Sequence, residues 1–228
     1  PAFAYEIAVI VQDGIRRMYE AHEDVFFYLT IGNENYHQPS MPEGAREGIL
    51  KGLYHYRAAG LKSDARVHLF GSGAILREVL RAADMLADLY GVAADVWSAT
   101  SYSQLRRECL EVERWNRLHP EDRPREAYLN SLLRNDLTPV VAASDYMKIV
   151  PDQIARWVPG GMVALGTDGF GRSEDRESLR EHFEVNAESI VIAAVATLVA
   201  RGKIDHKMVQ NAIDDMGIDP GVIDPAKA

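Results

Sequence analysis

Three short stretches carry side chains or backbone suited to chemistry. The densest polar cluster is Asn33, Glu34, Asn35, Tyr36 and His37, directly after an apolar run. Glu34 and His37 can pass protons, and Tyr36 and the two asparagines can orient a substrate. The same side chains can equally serve a structured linker, whose backbone N–H and C=O groups need partners. On the residues alone both readings stay open. The second stretch is Gly71-Ser72-Gly73, between an apolar run and a helical stripe. Glycines there let a backbone approach a phosphate, and the helix start would favour its charge. The dinucleotide fingerprint needs a third glycine where Leu76 stands, although Asp95 falls about where a ribose-binding acid would. A structural turn is the better reading. The third stretch, Thr167-Asp168-Gly169, matches part of a Gly-Asp-Gly diphosphate–magnesium motif, but Thr167 replaces the first glycine and the downstream asparagine is missing from an apolar helix. A strand-to-helix turn again explains it better.

Other reactive residues point away from a complete active site. The histidines at 22, 37, 55, 68, 119, 182 and 206 form no i, i+4 pair with a carboxylate, so no metal site is expected. Cys109 is the only cysteine, which excludes an internal disulfide and a cysteine-based zinc site. It sits at helical spacing between Leu105 and Val112, a packing position rather than a nucleophile's. Neither a Gly-x-Ser-x-Gly elbow nor a phosphate-loop lysine occurs.

The elements around these stretches alternate between helical periodicity and short apolar runs, the pattern of a mostly parallel sheet covered by helices. Ile7, Val11, Ile15 and Met18 make one helical stripe. Val25 to Ile31 reads as a strand apolar on both faces, suited to the centre of a parallel sheet. Gly32 to Gly44 is irregular and rich in Asn, Pro, Gly and Glu, as functional or inter-domain segments are. Val67 to Phe70 reads as a strand, and Ile75, Leu76, Val79, Ala83 and Leu86 as the stripe of the next helix. Asp95 to Ser98, Pro139 to Ala143 and Met162 to Leu165 read as further strands, with a charged helix from about Gln104 to Leu118. Ser173 is the expected N-cap of a later helix. Glu188 to Ala200 is apolar nearly all round, so this helix is expected to be buried, a second subunit being one candidate cover. The tail beyond Gly217 is expected to be loosely held.

With 47% hydrophobic and 26% charged residues, the 228-residue chain has the composition of a folded globular protein. A net charge of −9, from 25 basic and 34 acidic residues, argues against nucleic-acid binding. Between Arg106 and Glu126, six arginines and six acids interleave, which suggests a self-paired, solvated surface. The longest apolar run, Ile190 to Ala200, has eleven residues, short of a membrane span, so no membrane association is expected. A single cysteine fits a reducing, cytoplasmic setting. The chain starts at Pro1 rather than a methionine, and it is expected to be a piece of something larger or a processed product.

Longer strings carry a resemblance. Gly166-Thr167-Asp168-Gly169-Phe170-Gly171-Arg172-Ser173 resembles the Gly-x-Asp-x-Phe-Gly-x-Ser signature of the transketolase C-terminal domain. Its continuation through Arg176, Leu179 and His182-Phe183-Glu184-Val185 is similar to one subfamily, the homodimeric bacterial pyruvate dehydrogenases. So are Tyr5-Glu6-Ile7-Ala8-Val9-Ile10, Asn33 to His37 with Met41-Pro42-Glu43-Gly44-Ala45, Glu113-Arg114-Trp115-Asn116 with Leu118-His119-Pro120, and Ser144-Asp145-Tyr146-Met147-Lys148. The resemblance runs from the first residues to about Ala200.

It implies an α/β fold, a three-layer α/β/α sandwich with a mostly parallel sheet. Residues 1–45 would be the end of a middle, pyrimidine-binding domain and a linker, and residues 46–228 the transketolase C-terminal-like domain. The family enzyme decarboxylates pyruvate with thiamine diphosphate and magnesium and acetylates the lipoyl groups of an acyltransferase component. The resemblance places its catalytic, cofactor and metal residues upstream of Pro1, leaving this region a structural and dimerisation role with no cofactor of its own. Implied partners are a second copy and the acyltransferase component. By analogy with transketolases, Asn33, Glu34, Asn35, Tyr36 and His37 would lie at the mouth of the substrate channel, with no arginine in that stretch to take a substrate phosphate. The alternatives are a transketolase C-terminal domain, or a free-standing nucleotide-binding or partner-docking α/β module.

Overall fold

A computed structural model describes residues 1–228. In chain order its elements are α1 (Ala4–Ile15), α2 (Ala45–Lys51), β1 (Tyr54–Arg57), β2 (Arg66–Gly71), α3 (Leu76–Tyr90), β3 (Ala93–Ser98) and α4 (Tyr102–Leu118). There follow α5 (Tyr128–Leu132), β4 (Val140–Ala143), α6 (Ile149–Asp152), β5 (Met162–Leu165), α7 (Arg176–His182), α8 (Ala187–Ala200) and α9 (Lys207–Met216). The five strands form one sheet in the order β1-β3-β2-β4-β5; the last four run parallel and β1 is antiparallel to β3.

Side-chain alternation builds three layers. Successive residues of a strand point to opposite faces, so β2 sends Val67 and Leu69 one way and His68 and Phe70 the other. In register, Leu69 lies beside Val96 of β3 and Val141 of β4. That face packs against the α3 stripe Leu76, Val79, Ala83 and Leu86 and against Val191, Val195 and Leu198 of α8. Phe70, Trp97, Val140 and Ala142 meet Tyr102, Leu105 and Cys109 of α4 with Leu129 of α5 on the other face. Burial on both faces is why these strands read as continuous apolar runs. Cys109 is 1% exposed, and burial, followed by the nearby charges of Glu108 and Glu113, pushes its thiol up to about 11, which suits packing and not attack.

Beside the amino-terminal end of β4 a polar network closes on itself. Trp97 Nε1–H donates to His68 Nδ1 at 3.2 Å, so the neutral imidazole carries its proton on Nε2, which faces Asp136 Oδ2 at 2.8 Å. Asp136 also accepts from the Thr138 N–H at 2.9 Å. Asp95 is here too, held by Arg66 at 2.9 Å and by the Ala59 N–H at 3.0 Å.

Several expectations change in the structure. Val25 to Ile31 is not a strand: its backbone joins no sheet, and Phe26 and Tyr28 are 88% and 85% exposed. A strand apolar on both faces needs neighbours on both sides, and this chain's own sheet offers it none. The inward face of α1 is Glu6, Val9, Ile10 and Gly14, with Val9 and Ile10 on Ala45 and Ile49, while Val11 and Ile15 stay exposed. A polar residue decides that rotation. Glu6 is fully buried and accepts hydrogen bonds from the Ala2 and Phe3 N–H groups, from the Tyr54 hydroxyl at 2.6 Å and from the Ser98 hydroxyl at 2.6 Å. A buried carboxylate must be paired, so α1 turns Glu6 toward the sheet edge.

Asp175, not Ser173, caps α7, accepting from the Ser178 N–H at 2.9 Å. The self-paired surface on α4 is absent: Glu113 bonds Trp157 and Arg156, Glu126 pairs with Arg134, and Arg125 stacks on Trp115. The cover of α8 is α3, α9 and the sheet of the same chain. Arg176–Ala200 is long and apolar enough by composition to cross a membrane, but it folds as α7 and α8 with a break at Phe183–Asn186. The tail is docked, with Pro225 buried. It lies on Gly169, at φ +103°, where an added Cβ would meet the Pro225 carbonyl oxygen at 2.2 Å.

Candidate functional site

Gly71 ends β2 where the chain must turn at once into α3. A Cβ there would meet the Leu76 Cα and Cδ1 at 2.8 Å, so the missing side chain is what lets strand and helix close. Gly71-Ser72-Gly73 therefore has the packing role expected of a turn. Asp95 lies toward the other end of the sheet with its carboxylate engaged, so it cannot share a ligand with this turn. No three His, Cys, Asp or Glu side chains converge as a metal set. Asp168 is spent on the Lys148 N–H at 3.0 Å, so the residues present do not fit a diphosphate–metal site.

The polar cluster after Ile31 is brought onto the rest of the molecule by arginines. Glu34 pairs with Arg77 at 2.6 Å and with Arg180, and Arg176 stands 3.9 Å away. Arg180 continues to Glu78 at 3.2 Å, and Glu78 to Arg81 at 2.7 Å. Asn33 accepts from Arg176 at 2.7 Å. Tyr36 donates to the Ala2 carbonyl, sets its ring edge against Phe3 and lies under Arg77. Asn35 and His37 are exposed. Glu34 and His37 are thus not a proton-passing pair: one is enclosed by guanidinium groups and the other faces out.

Glu34 also borders a cavity of about 370 Å³. The segments after three parallel strands contribute to it: Ala74 and Ile75 after β2, Asp145 after β4 and Thr167 after β5. Arg172, Arg176 and Arg180 line the side made by α7 and the coil before it. Asp145 opens to solvent at the cavity but is crowded by protein elsewhere, and this desolvation holds its carboxyl above the ordinary range. Asp145, Thr167, Arg172 and Arg176 lie in the strings that carry the resemblance, but those strings assign them no ligand. The available signal was the four-residue spacing of Arg172, Arg176 and Arg180, of which α7 holds the last two.

A family model described as "Transketolase-like TK C-terminal domain" matches residues 52–186, and one described as "Pyruvate dehydrogenase E1 component middle domain" matches residues 1–39. The pyruvate dehydrogenase E1 component of Escherichia coli K12 is 50% identical over 230 residues, covering 100% of this chain and 26% of the relative. That of Pseudomonas aeruginosa is 49% identical over 221 residues, covering 96% of this chain and 25% of the relative. The chain thus spans about a quarter of the length of the curated relatives it matches, from 25% to 26%. Among solved structures, a transketolase from Leishmania mexicana is similar at 18% identity and TM-score 0.46, over 74% of this chain and 21% of that one.

Proposed function

This chain belongs to the transketolase-like C-terminal domain family, and on that premise we propose that it is the carboxyl-terminal quarter of a pyruvate dehydrogenase E1 component. The whole polypeptide decarboxylates pyruvate with thiamine diphosphate and magnesium and passes the acetyl group to lipoyl groups of an acyltransferase partner. It works as a homodimer in the cytoplasm. Residues 1–45 finish the preceding pyrimidine-binding domain, and residues 46–228 are a structural and dimerisation domain that supplies neither cofactor ligand nor catalytic group. Asn33 to His37 join the two near the substrate channel, and the arginine clasp on Glu34 fixes that joint.

The observation that carries this reading is the exposed apolar strip on the segment matched to the middle domain. Phe26, Tyr28 and Ile31 line an extended stretch with free backbone groups, and Val11 and Ile15 are exposed nearby on α1. A strand with that composition belongs inside a sheet, and the missing neighbours are supplied by preceding chain. The test is to replace Phe26 and Tyr28 by aspartate in the complete polypeptide. Loss of thiamine diphosphate binding and pyruvate turnover, with residues 46–228 still protected from protease, is the expected result. Full activity of the double variant, or pyruvate turnover by the 228-residue chain alone, would overturn it. Alanine at Glu34 and at His37 separates the roles in the joint: a raised Michaelis constant for pyruvate or the lipoyl domain places them at the channel, and unchanged kinetics leaves them structural.

A further inference from the structure

The strand order sets up a crevice. The chain leaves β2 for β3 on one side and later crosses to β4 on the other, so the segments after β2 and β4 diverge at their carboxyl ends. Open parallel sheets bind ligands at such a switch point. The cavity lies there, and about 370 Å³ is enough for a small molecule.

Its charges indicate what kind. Arg172 makes no ion pair or hydrogen bond, and Arg176 is held only by the Asn33 amide oxygen and loosely by Glu34. Arg180, in contrast, is committed to Glu34 and Glu78. Two exposed guanidinium forks without a full complement of acceptors, both lining one cavity, suit a carboxylate or phosphate group. Asp145, which also lines the cavity, supplies an acceptor for hydroxyl or amino hydrogens. Ile75 and Leu179 supply an apolar wall.

We propose that this cavity binds a small organic anion, its phosphate or carboxylate group on Arg172 and Arg176 and its hydroxyl or amino groups on Asp145, in competition with Glu34 for Arg176. The site stands on this chain's own residues and does not depend on the activity of a longer polypeptide. Because Glu34 lies on the segment leading from α1, an occupant that draws Arg176 away also loosens the clasp on that segment.

The experiment uses the complete polypeptide with three probes: inorganic phosphate, adenosine monophosphate and malonate. Binding is read by calorimetry, and arginine accessibility by phenylglyoxal labelling and peptide mass spectrometry. The expected result is saturable binding of an organic probe, tighter than inorganic phosphate, that protects Arg172 and Arg176 but not Arg106 and Arg107 on α4. Arg172→Gln should weaken binding about tenfold, and Glu34→Gln should tighten it by a similar factor, each a change of about 1.4 kcal/mol. Arg172 has no partner to lose, so its variant remains informative if an Arg176 variant fails to fold. Unprotected Arg172 and Arg176, equal affinity in Arg172→Gln, or unchanged affinity in Glu34→Gln would each overturn the proposal. Binding of inorganic phosphate as tight as that of either organic probe would overturn the organic ligand.

Discussion

Beside the amino-terminal end of β4, Trp97, His68 and Asp136 hand hydrogen bonds along a closed line, whereas at the carboxyl ends of the strands Asp145, Arg172 and Arg176 face a cavity with bonding capacity left over. Strands β2 and β4 flank both sets, so the difference is not one of framework. It lies in what each end spends its polar groups on. One end uses them to hold strands and loops together, and the other keeps some of them for something outside the chain. The groups at the open end are exposed, so water satisfies them until a ligand or partner takes its place.

The strongest way to sharpen this contrast is His68→Ala. It leaves the Trp97 N–H and the Asp136 carboxylate without their partner and opens a void, for an expected loss of about 2–4 kcal/mol in urea unfolding. A loss below about 0.5 kcal/mol would mean the closed network is not what holds that end. Gly71→Ala tests whether the open end is also loosely built. Its new methyl would meet the backbone of Leu76, so a loss of about 1–3 kcal/mol is expected, with tight packing beneath the cavity. If the variant is neutral, the carboxyl end tolerates movement throughout.

The two acids should respond oppositely to pH. Desolvation works against the Asp136 carboxylate, but hydrogen bonds from Thr138 and His68 outweigh it and hold its carboxyl below the ordinary 3.8. Its contribution is therefore whole above pH 3.8 and disappears as pH falls through the lower folded value. Asp136→Asn should cost about 0.5–1 kcal/mol at pH 7, reduced by its partial exposure, and progressively less in acid. Asp145 is the reverse case. Desolvation raises its carboxyl above 3.8, so the native state gains relative stability below pH 3.8 and loses it as pH rises through the folded value. Asp145→Asn should stabilise the protein slightly at pH 7, by less than about 0.5 kcal/mol after solvent screening, and not at all below pH 3.8. Matching pH profiles for the two variants would break the comparison.

Much of the sheet was legible in the sequence because its central strands are buried on both faces. Val67 to Phe70 and Pro139 to Ala143 could hardly be anything else, and the α3 stripe points into the core residue by residue. The edge strand β1 was not legible, since Tyr54-His55-Tyr56-Arg57 mixes apolar and polar residues over only four positions. Val25 to Ile31 shows the opposite failure. Its composition demands a sheet, but the required neighbours are not in this chain. The candidate site was half legible. Asn33 to His37 stood out as polar residues after an apolar run, yet Glu34 meets arginines 43 and 146 residues away, and no local pattern carries such pairings. Arg172 was not singled out because it fills a variable position of the Gly-x-Asp-x-Phe-Gly-x-Ser signature, in the coil before α7.

The buried bonds of Glu6 also have a consequence in time. Its acceptor bond from Ser98 spans 92 residues, so during synthesis α1 emerges long before the hydroxyl that completes its carboxylate's shell exists. At about 5–20 residues per second, the ribosome leaves that acid waiting for seconds. Until β3 is made, docking α1 would bury a charge without its partners, so α1 must find its final place only after chain well downstream of it has been made.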